Sequence, residues 1–513
     1  MNLKFLVFDS MSYPFVNENI CRTIRNEFYN TFESRKDLSM ELLDALSAEI
    51  HANSAVQLSL SHHFTRQYSS ISQLMSQILT EDALSSSLQK ISDLVINHIN
   101  SQTQESKKVK FFILDETGIF KPDANSMENR SHVHGASKTN HAIGVGHSYS
   151  YLVGDDYSIG QWVVPINSSL VTSDKSAIQL GFEQFKSQLP REVSENVYVL
   201  TADSKYSSKE SVANIYGLGE SALLLTRLNS KRTLYFPYTG EQKQRGAKKK
   251  YGEEFKLHDS QTWIEPHEIV EFEMQSARGK DYTVKLKRWN GLIAKGASGI
   301  TMHDKPFDIV KAEVFDSHGK SVNYKNMWLM IAGGRKDLIE IKEVFVRYSK
   351  RFKIEHFFRF CKQHLLLGKY QTPDTETQNK WCTFSSLAYL NLLCLSGMIN
   401  NELLHPWRKD SALSESVLSP YSVKRMASKI IDQVGTPTNK CEYISHGNGR
   451  ELGTVLEKRG KKPVMTKSKT KKTKSEKKAK FSNRKKIVFN SDLDVINQLK
   501  LSEEQIELLK KVA

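Results

Sequence analysis

Cysteine is scarce in this chain: five in 513 residues, at Cys21, Cys361, Cys382, Cys394 and Cys441, with no Cys-x-x-Cys pair. An odd, widely spaced set excludes a disulfide framework and the common zinc motifs, and it fits a reducing cytoplasm. Long apolar runs are missing as well. No stretch of about 18 apolar residues occurs, so no membrane-spanning helix is expected. The opening MNLKFLVFDSMSYPF is interrupted by Asp9 and meets no small-residue cleavage site, which argues against a signal peptide. There is no internal repeat. Gly217-x-Gly219-x-x-Ala222 has the glycine spacing of a dinucleotide fingerprint, but it follows a helical pattern and opens a strand, the reverse of the order required. His132, His134, His141 and His147 are spaced by two, seven and six residues, which matches no common zinc motif; the stretch reads as a polar loop near the active site.

What is present is a globular composition with its charge concentrated in one place. Hydrophobic residues make up 39% and aromatics 10%, and the length calls for two to four domains. Between Lys458 and Lys486, fifteen Lys or Arg stand against one acid, Glu476, so this stretch carries +14 of the net +16 and the remainder about +2. Such a segment binds nucleic acid nonspecifically and salt-dependently, or serves as a solubilising linker; the two are compatible.

Residues 15–100 carry apolar residues at helical spacing in four stretches, 23–32, 40–50, 71–79 and 84–99. This region, 1–104, reads as a helical DNA-binding domain using Arg22, Arg25 and Arg66, or as a helical dimerisation module; no clear helix-turn-helix pattern separates the two. After a polar linker, residues 109–114 (VKFFIL) form an apolar run of strand length that ends in Asp115-Glu116-Thr117. A hairpin turning at Gly154-Asp155-Asp156, a helix at 175–189 and a second buried strand at 197–200, ending in Thr201-Ala202-Asp203, come next. A short helix at 208–216 leads to a strand at 222–228 with Arg227 near its end. From about 231 to 312, short strands between Lys/Gln/Gly-rich turns read as a β-rich insertion. A strand at 327–331 precedes a helix that covers 347–363, and the apolar stretch 381–400 reads as a core helix. Residues 502–512 close the chain as a helix with a capping-box spacing, Ser502 to Gln505.

Chemistry gathers at three acids. Asp115 and Asp203 sit just past the ends of apolar strands, where open sheets place ligands. Glu355 projects from the 347–363 helix in a polar stripe with Tyr348, Arg351 and Lys362. The opposite stripe, Ile354, Phe357, Phe358, Cys361 and Leu365, can seat that helix on a core. Three carboxylates on three elements can hold two hard divalent cations through oxygen, Mg²⁺ above all and Mn²⁺ as a substitute. Such a pair activates a water or 3′-hydroxyl for phosphodiester displacement without a general base. Glu116 points to the other strand face and is not counted as a ligand.

The pattern Tyr348-x2-Arg351-x3-Glu355-x6-Lys362 resembles the YREK signature of the insertion-sequence-four type transposases, which are DDE enzymes with a ribonuclease-H-like catalytic domain. Asp115 opens an Asp-x-Thr motif, and Glu355 comes 152 residues after Asp203, a gap long enough for the β-strand insertion those enzymes carry. The resemblance covers about residues 105–400 and implies an α/β ribonuclease-H-like fold flanked by helical N- and C-terminal regions, the latter being 401–513. It implies a metal-binding triad of Asp115, Asp203 and Glu355, with two Mg²⁺ ions. Arg351 and Lys362 would contact DNA-end phosphates and Tyr348 would position the backbone. Trp328, 27 residues before Glu355, is either the base-stacking Trp of hairpin-forming relatives or a core residue of the strand NMWLMI. Arg227 and Lys205 are further DNA-contact candidates. The function implied is DNA transposition: cleavage at transposon ends and strand transfer into target DNA, by a homodimer in a bacterial, nucleoid-associated cytoplasmic setting. An inactive or domesticated DNA-binding descendant, or a ribonuclease-H-like nuclease without strand transfer, fits the same residues.

Overall fold

The computed structural model describes residues 18–102, 108–134, 143–155, 160–191, 195–242, 244–276, 279–297, 299–322, 327–399, 418–439 and 460–465. Most of the basic stretch (466–486) and the expected terminal helix at 502–512 lie outside the described residues. Among the described residues, no helix is long and apolar enough to cross a membrane.

The N-terminal region is helical: α1 (Glu18–Thr31), α2 (Lys36–Ala48), α3 (Ala55–Leu58), α4 (Tyr68–Gln73) and α5 (Glu81–Gln102). It does not form a core of its own. Cys21, Phe28, Leu42, Leu46 and Leu88 belong to the same apolar cluster as Trp381, Leu387 and Leu393 of a helix far along the chain, α10 (Thr375–Ser396), and Ile430 of α11 (Pro420–Val434). Arg25, assigned above to DNA, is inside this core. It forks onto Asp44 at 2.8 Å through both terminal nitrogens, and it also reaches Asn391 and the Gly435 carbonyl. Arg22 pairs with Glu18 and Arg66 with Glu41.

The middle of the chain is α/β, built on a mixed sheet. Its strands are β1 (Val109–Phe120), β2 (Ser131–His134), β3 (Ile143–Gly154), β4 (Val164–Leu170), β5 (Val197–Ala202) and β6 (Ala222–Leu228), with helices α6 (Ala177–Lys186) and α7 (Lys209–Gly217) between them. A small pair, β7 (Thr233–Pro237) and β8 (Tyr251–Lys256), stands apart; β9 (Glu268–Gln275), β10 (Asp281–Leu292), β11 (Phe307–Asp316) and β12 (Met327–Gly333) rejoin the main sheet. The main order is β2-β3-β1-β5-β6-β12-β11-β10-β9, with β4 on β3. β1, β5 and β6 are mutually parallel, while β3 runs antiparallel to β1 and β12 antiparallel to β6. The β-rich insertion is therefore, through β9, β10 and β11, an extension of the central sheet.

Both faces of β1 are covered, which is why VKFFIL is an unbroken apolar run. Phe112 and Leu114 face α6 and α7 with Phe182, Leu200 and Ile215, whereas Phe111 joins Val199, Leu225, Val344 and Phe345 on the other face. At Gly181 a Cβ would stand 2.3 Å from Leu114 Cδ2, so only glycine lets α6 lie this close to β1.

The stretch expected as one helix over 347–363 is two: α8 (Ile341–Lys350) and α9 (Lys353–His364), broken at Arg351-Phe352. At the break, bonds shorten to the i→i−3 type: Arg351 N to Tyr348 O, Ile354 N to Arg351 O and Glu355 N to Phe352 O. Asp155 clamps both sides. It is buried, lies 3.0 Å from Lys353 Nζ, and its backbone carbonyl accepts from Arg347 at 3.0 Å. Asp155, taken in the sequence as part of a hairpin turn, is thus the post on which α8 and α9 bend.

Candidate active site

β1 and β5 are parallel and in register, with Leu114 opposite Ala202; β5 and β6 likewise pair Ala202 with Thr226. The next position along each is Asp115, Asp203 and Arg227. Neighbouring strands lie about 4.8 Å apart, so the register alone sets the two aspartates side by side. Only Asp203 lies past the end of its strand: β1 continues to Phe120 through its pairing with β3, so Asp115, expected just beyond a strand end, sits within β1 where the parallel pairing to β5 stops. Asp203 leaves β5 and caps a short 3₁₀ turn, its Oδ1 accepting from Lys205 N at 2.8 Å.

Glu355 arrives from the other direction, on the first turn of α9. It reaches the aspartates through Arg351, which donates to Asp115 Oδ2 at 3.1 Å and to Glu355 Oε1 at 3.3 Å. Burial is the main reason that the Asp115 carboxyl is pushed up to about 6. Arg351 and the Glu116 amide pull it down, and the charges of Asp203 and Glu355 push it up again. All three acids therefore share one field, with the half-buried Asp115 at its centre.

The donor set is oxygen only and carries excess negative charge, which fits hard divalent cations. Arg351 supplies part of the neutralising charge.

The remaining candidates divide. Tyr348 is buried, its phenol raised by burial and lowered by Arg351 and Arg227 beside it. Arg227 stands on this side too. Lys362, two turns beyond Glu355 on α9, is half-buried, and burial lowers its proton affinity. Among the described residues, neither cation is ion-paired to an acid. Lys205 differs: its ammonium is ion-paired to Glu116, whose other oxygen accepts from Ser148 Oγ. Trp328 is fully buried on β12 among Phe255, Trp263 and Trp289, with ring centroids at 6.1, 5.2 and 5.6 Å. It fills the core that NMWLMI implied and offers no face to a base. His147 is likewise no loop residue; it is buried in β3, its Nε2 2.7 Å from the Glu128 carbonyl.

Two participants escaped the sequence reading. Tyr206 is fully buried beneath the acids, its phenol raised by burial and by Asp115, Glu116 and Asp203. Asp155 holds the helix break. Nothing in the spacing marks either one, since Tyr206 is only the third residue after Asp203 and Asp155 sits in a turn-like Gly-Asp-Asp.

No protein-family model matches the chain, and no curated protein matches it in sequence. Among solved structures, it is similar to a piggyBac transposase in its synaptic complex with hairpin DNA. The identity is 13% and the TM-score 0.33, over 82% of this chain and 74% of that one. A likeness that loose carries no argument about activity.

Proposed function

We propose that this chain is a DDE-type DNA transposase with a ribonuclease-H-like catalytic domain. One observation carries the reading: parallel, in-register β1 and β5 bring Asp115 and Asp203 together, and Arg351 ties Glu355 to the same spot. The strand order β4-β3-β1-β5-β6, with three parallel strands and an antiparallel pair, supports the ribonuclease-H-like assignment. Asp115, Asp203 and Glu355 would hold two Mg²⁺ ions. When bound, these supply an activated water or 3′-hydroxyl and stabilise the leaving oxygen of a phosphodiester displacement.

The chain's own residues then do the positioning. Arg351, which here donates to Asp115 and Glu355, would offer its planar fork to a phosphate when the carboxylates hold metal. Lys362 and Arg227 offer positive charge to the DNA backbone, and the Tyr348 phenol, beside Arg351 and Arg227, positions it. The substrate is double-stranded DNA at the ends of the element that encodes the protein, bound by a homodimer, with strand transfer into target DNA.

The test is cleavage of duplexes carrying the DNA that flanks the gene, in Mg²⁺, by the full chain and by Asp115→Ala and Glu355→Ala. Wild type nicks at the element boundary and both variants do not. If either variant cleaves like wild type, the triad is misassigned.

A further inference from the structure

Away from the acid triad, the turn after α3 and the outer face of α11 bring together a second set of donors. His62, His63 and Asp432 place three ligand atoms within 4.8 Å of one another. His62 Nε2 lies 3.4 Å from Asp432 Oδ1. His63 Nε2 lies 3.1 Å and His62 Nε2 3.5 Å from Ser428 Oγ, one helical turn before Asp432. Adjacent side chains usually diverge, yet these two imidazoles lie with centroids 3.8 Å apart, tilted by 40°, and both Nε2 atoms meet the same helix face.

The convergence is built from beneath. Buried Glu41 of α2 accepts from Thr65 N and Oγ1 at 3.0 Å and from Arg66 Nε at 3.2 Å, pinning the segment that follows the histidines. On the other side, Lys424 of α11 is buried and donates to the Leu46 carbonyl of α2 at 2.6 Å. Both halves of the cluster are thus mounted on one helix. A set whose scaffold is fixed loses little freedom on taking up an ion.

We infer that His62, His63 and Asp432 form a binding site for a borderline divalent transition metal, Zn²⁺ in the first instance, which staples α11 to the N-terminal helices. Two imidazole nitrogens and one carboxylate oxygen are a donor set for Zn²⁺, not for the Mg²⁺ that suits the all-oxygen triad. Ser428 and water are left to complete a four-coordinate shell. The site is distinct from the triad in ligand chemistry and in the elements that bear it. Its role is structural, because the helix it would secure contributes Ile430 and Ile431 to the shared core.

The test uses the full chain carrying Asp115→Asn and Glu355→Gln, in excess Mg²⁺, titrated with ZnCl₂ by calorimetry. One equivalent of Zn²⁺ binds and raises the melting temperature. Co²⁺ in its place gives the visible absorption bands of four-coordinate cobalt. Adding His62→Ala or Asp432→Asn, both at exposed positions, weakens binding by roughly tenfold or more and abolishes those bands. No binding of Zn²⁺, or binding and cobalt bands that persist in these variants, overturns the site.

Discussion

Arg351 stands between Asp115 and Glu355, 3.1 Å from one carboxylate and 3.3 Å from the other. It occupies the position of a cation in a field built for cations. The same guanidinium that neutralises the acids without metal is the one proposed to grip phosphate when metal is present.

That dual role makes Arg351→Ala a discriminating variant. Its loss removes a positive charge from the metal field, so Mn²⁺ binding measured by paramagnetic resonance tightens severalfold. Cleavage of element-end DNA falls roughly 100-fold, the size of effect seen when one charged transition-state contact is removed. A variant that binds metal more weakly would place Arg351 among groups that merely hold the fold.

The proton affinity of Asp115 sets a pH dependence. Its carboxyl titrates near 6 in the folded protein against an ordinary 3.8, so protons compete for it across that window. Mn²⁺ affinity should drop by up to about tenfold per pH unit below 6 and level off above it. The linkage sign for the metal-free protein is the reverse of a salt-bridged acid. The native state binds more protons than the unfolded chain between 3.8 and 6, so this group's contribution to stability falls as pH rises through the window. Metal-free Asp115→Asn should lose less stability than wild type between pH 5 and 7, as read by urea unfolding.

Trp328 packs against three aromatic side chains and is fully buried. Trp328→Ala should cost about 3–5 kcal/mol in chemical denaturation, as for other large core truncations. Trp328→Phe should restore most of that stability. End cleavage and any hairpin product should then return together with folding; a folded Trp328→Phe that cleaves but fails only at hairpin formation would reinstate base stacking.

Arg25 is the third variant where burial decides. Removing it strands Asp44 in the core, so Arg25→Ala should destabilise by about 3–5 kcal/mol. DNA affinity of the protein that remains folded should be unchanged at constant salt. A stable Arg25→Ala with weakened DNA binding would mean that this face opens.

The basic segment makes a separate contribution. Deleting residues 467–486 removes eleven of the fifteen Lys and Arg counted there. Nonspecific DNA binding should lose much of its salt slope while Mn²⁺ binding at the triad is retained. An unchanged slope would assign the electrostatic footprint to the folded part of the chain.

Local patterns were enough to mark the central strands and the amphipathic stretch carrying Glu355, though not that β1 runs on past Asp115 to Phe120. Each depends on short-range periodicity, which a buried strand or helix face imposes on its own residues. Even the core reading of Trp328 was present in NMWLMI. What could not be read locally was which charges meet. Arg25 and Arg351 are both arginines in amphipathic stretches of sequence, yet one is sealed onto Asp44 and the other faces the acids, because their partners lie 19 and 236 residues away. The break at Arg351-Phe352 is of the same kind: its sequence has no Pro or Gly, and it is held by Asp155 of a distant strand end. The residues and their spacing determined where apolar strands, helical faces and charged groups fall along the chain. Only the tertiary structure decided which cations are spent on the core and which remain for the acids, since burial and pairing are properties of contacts across the fold.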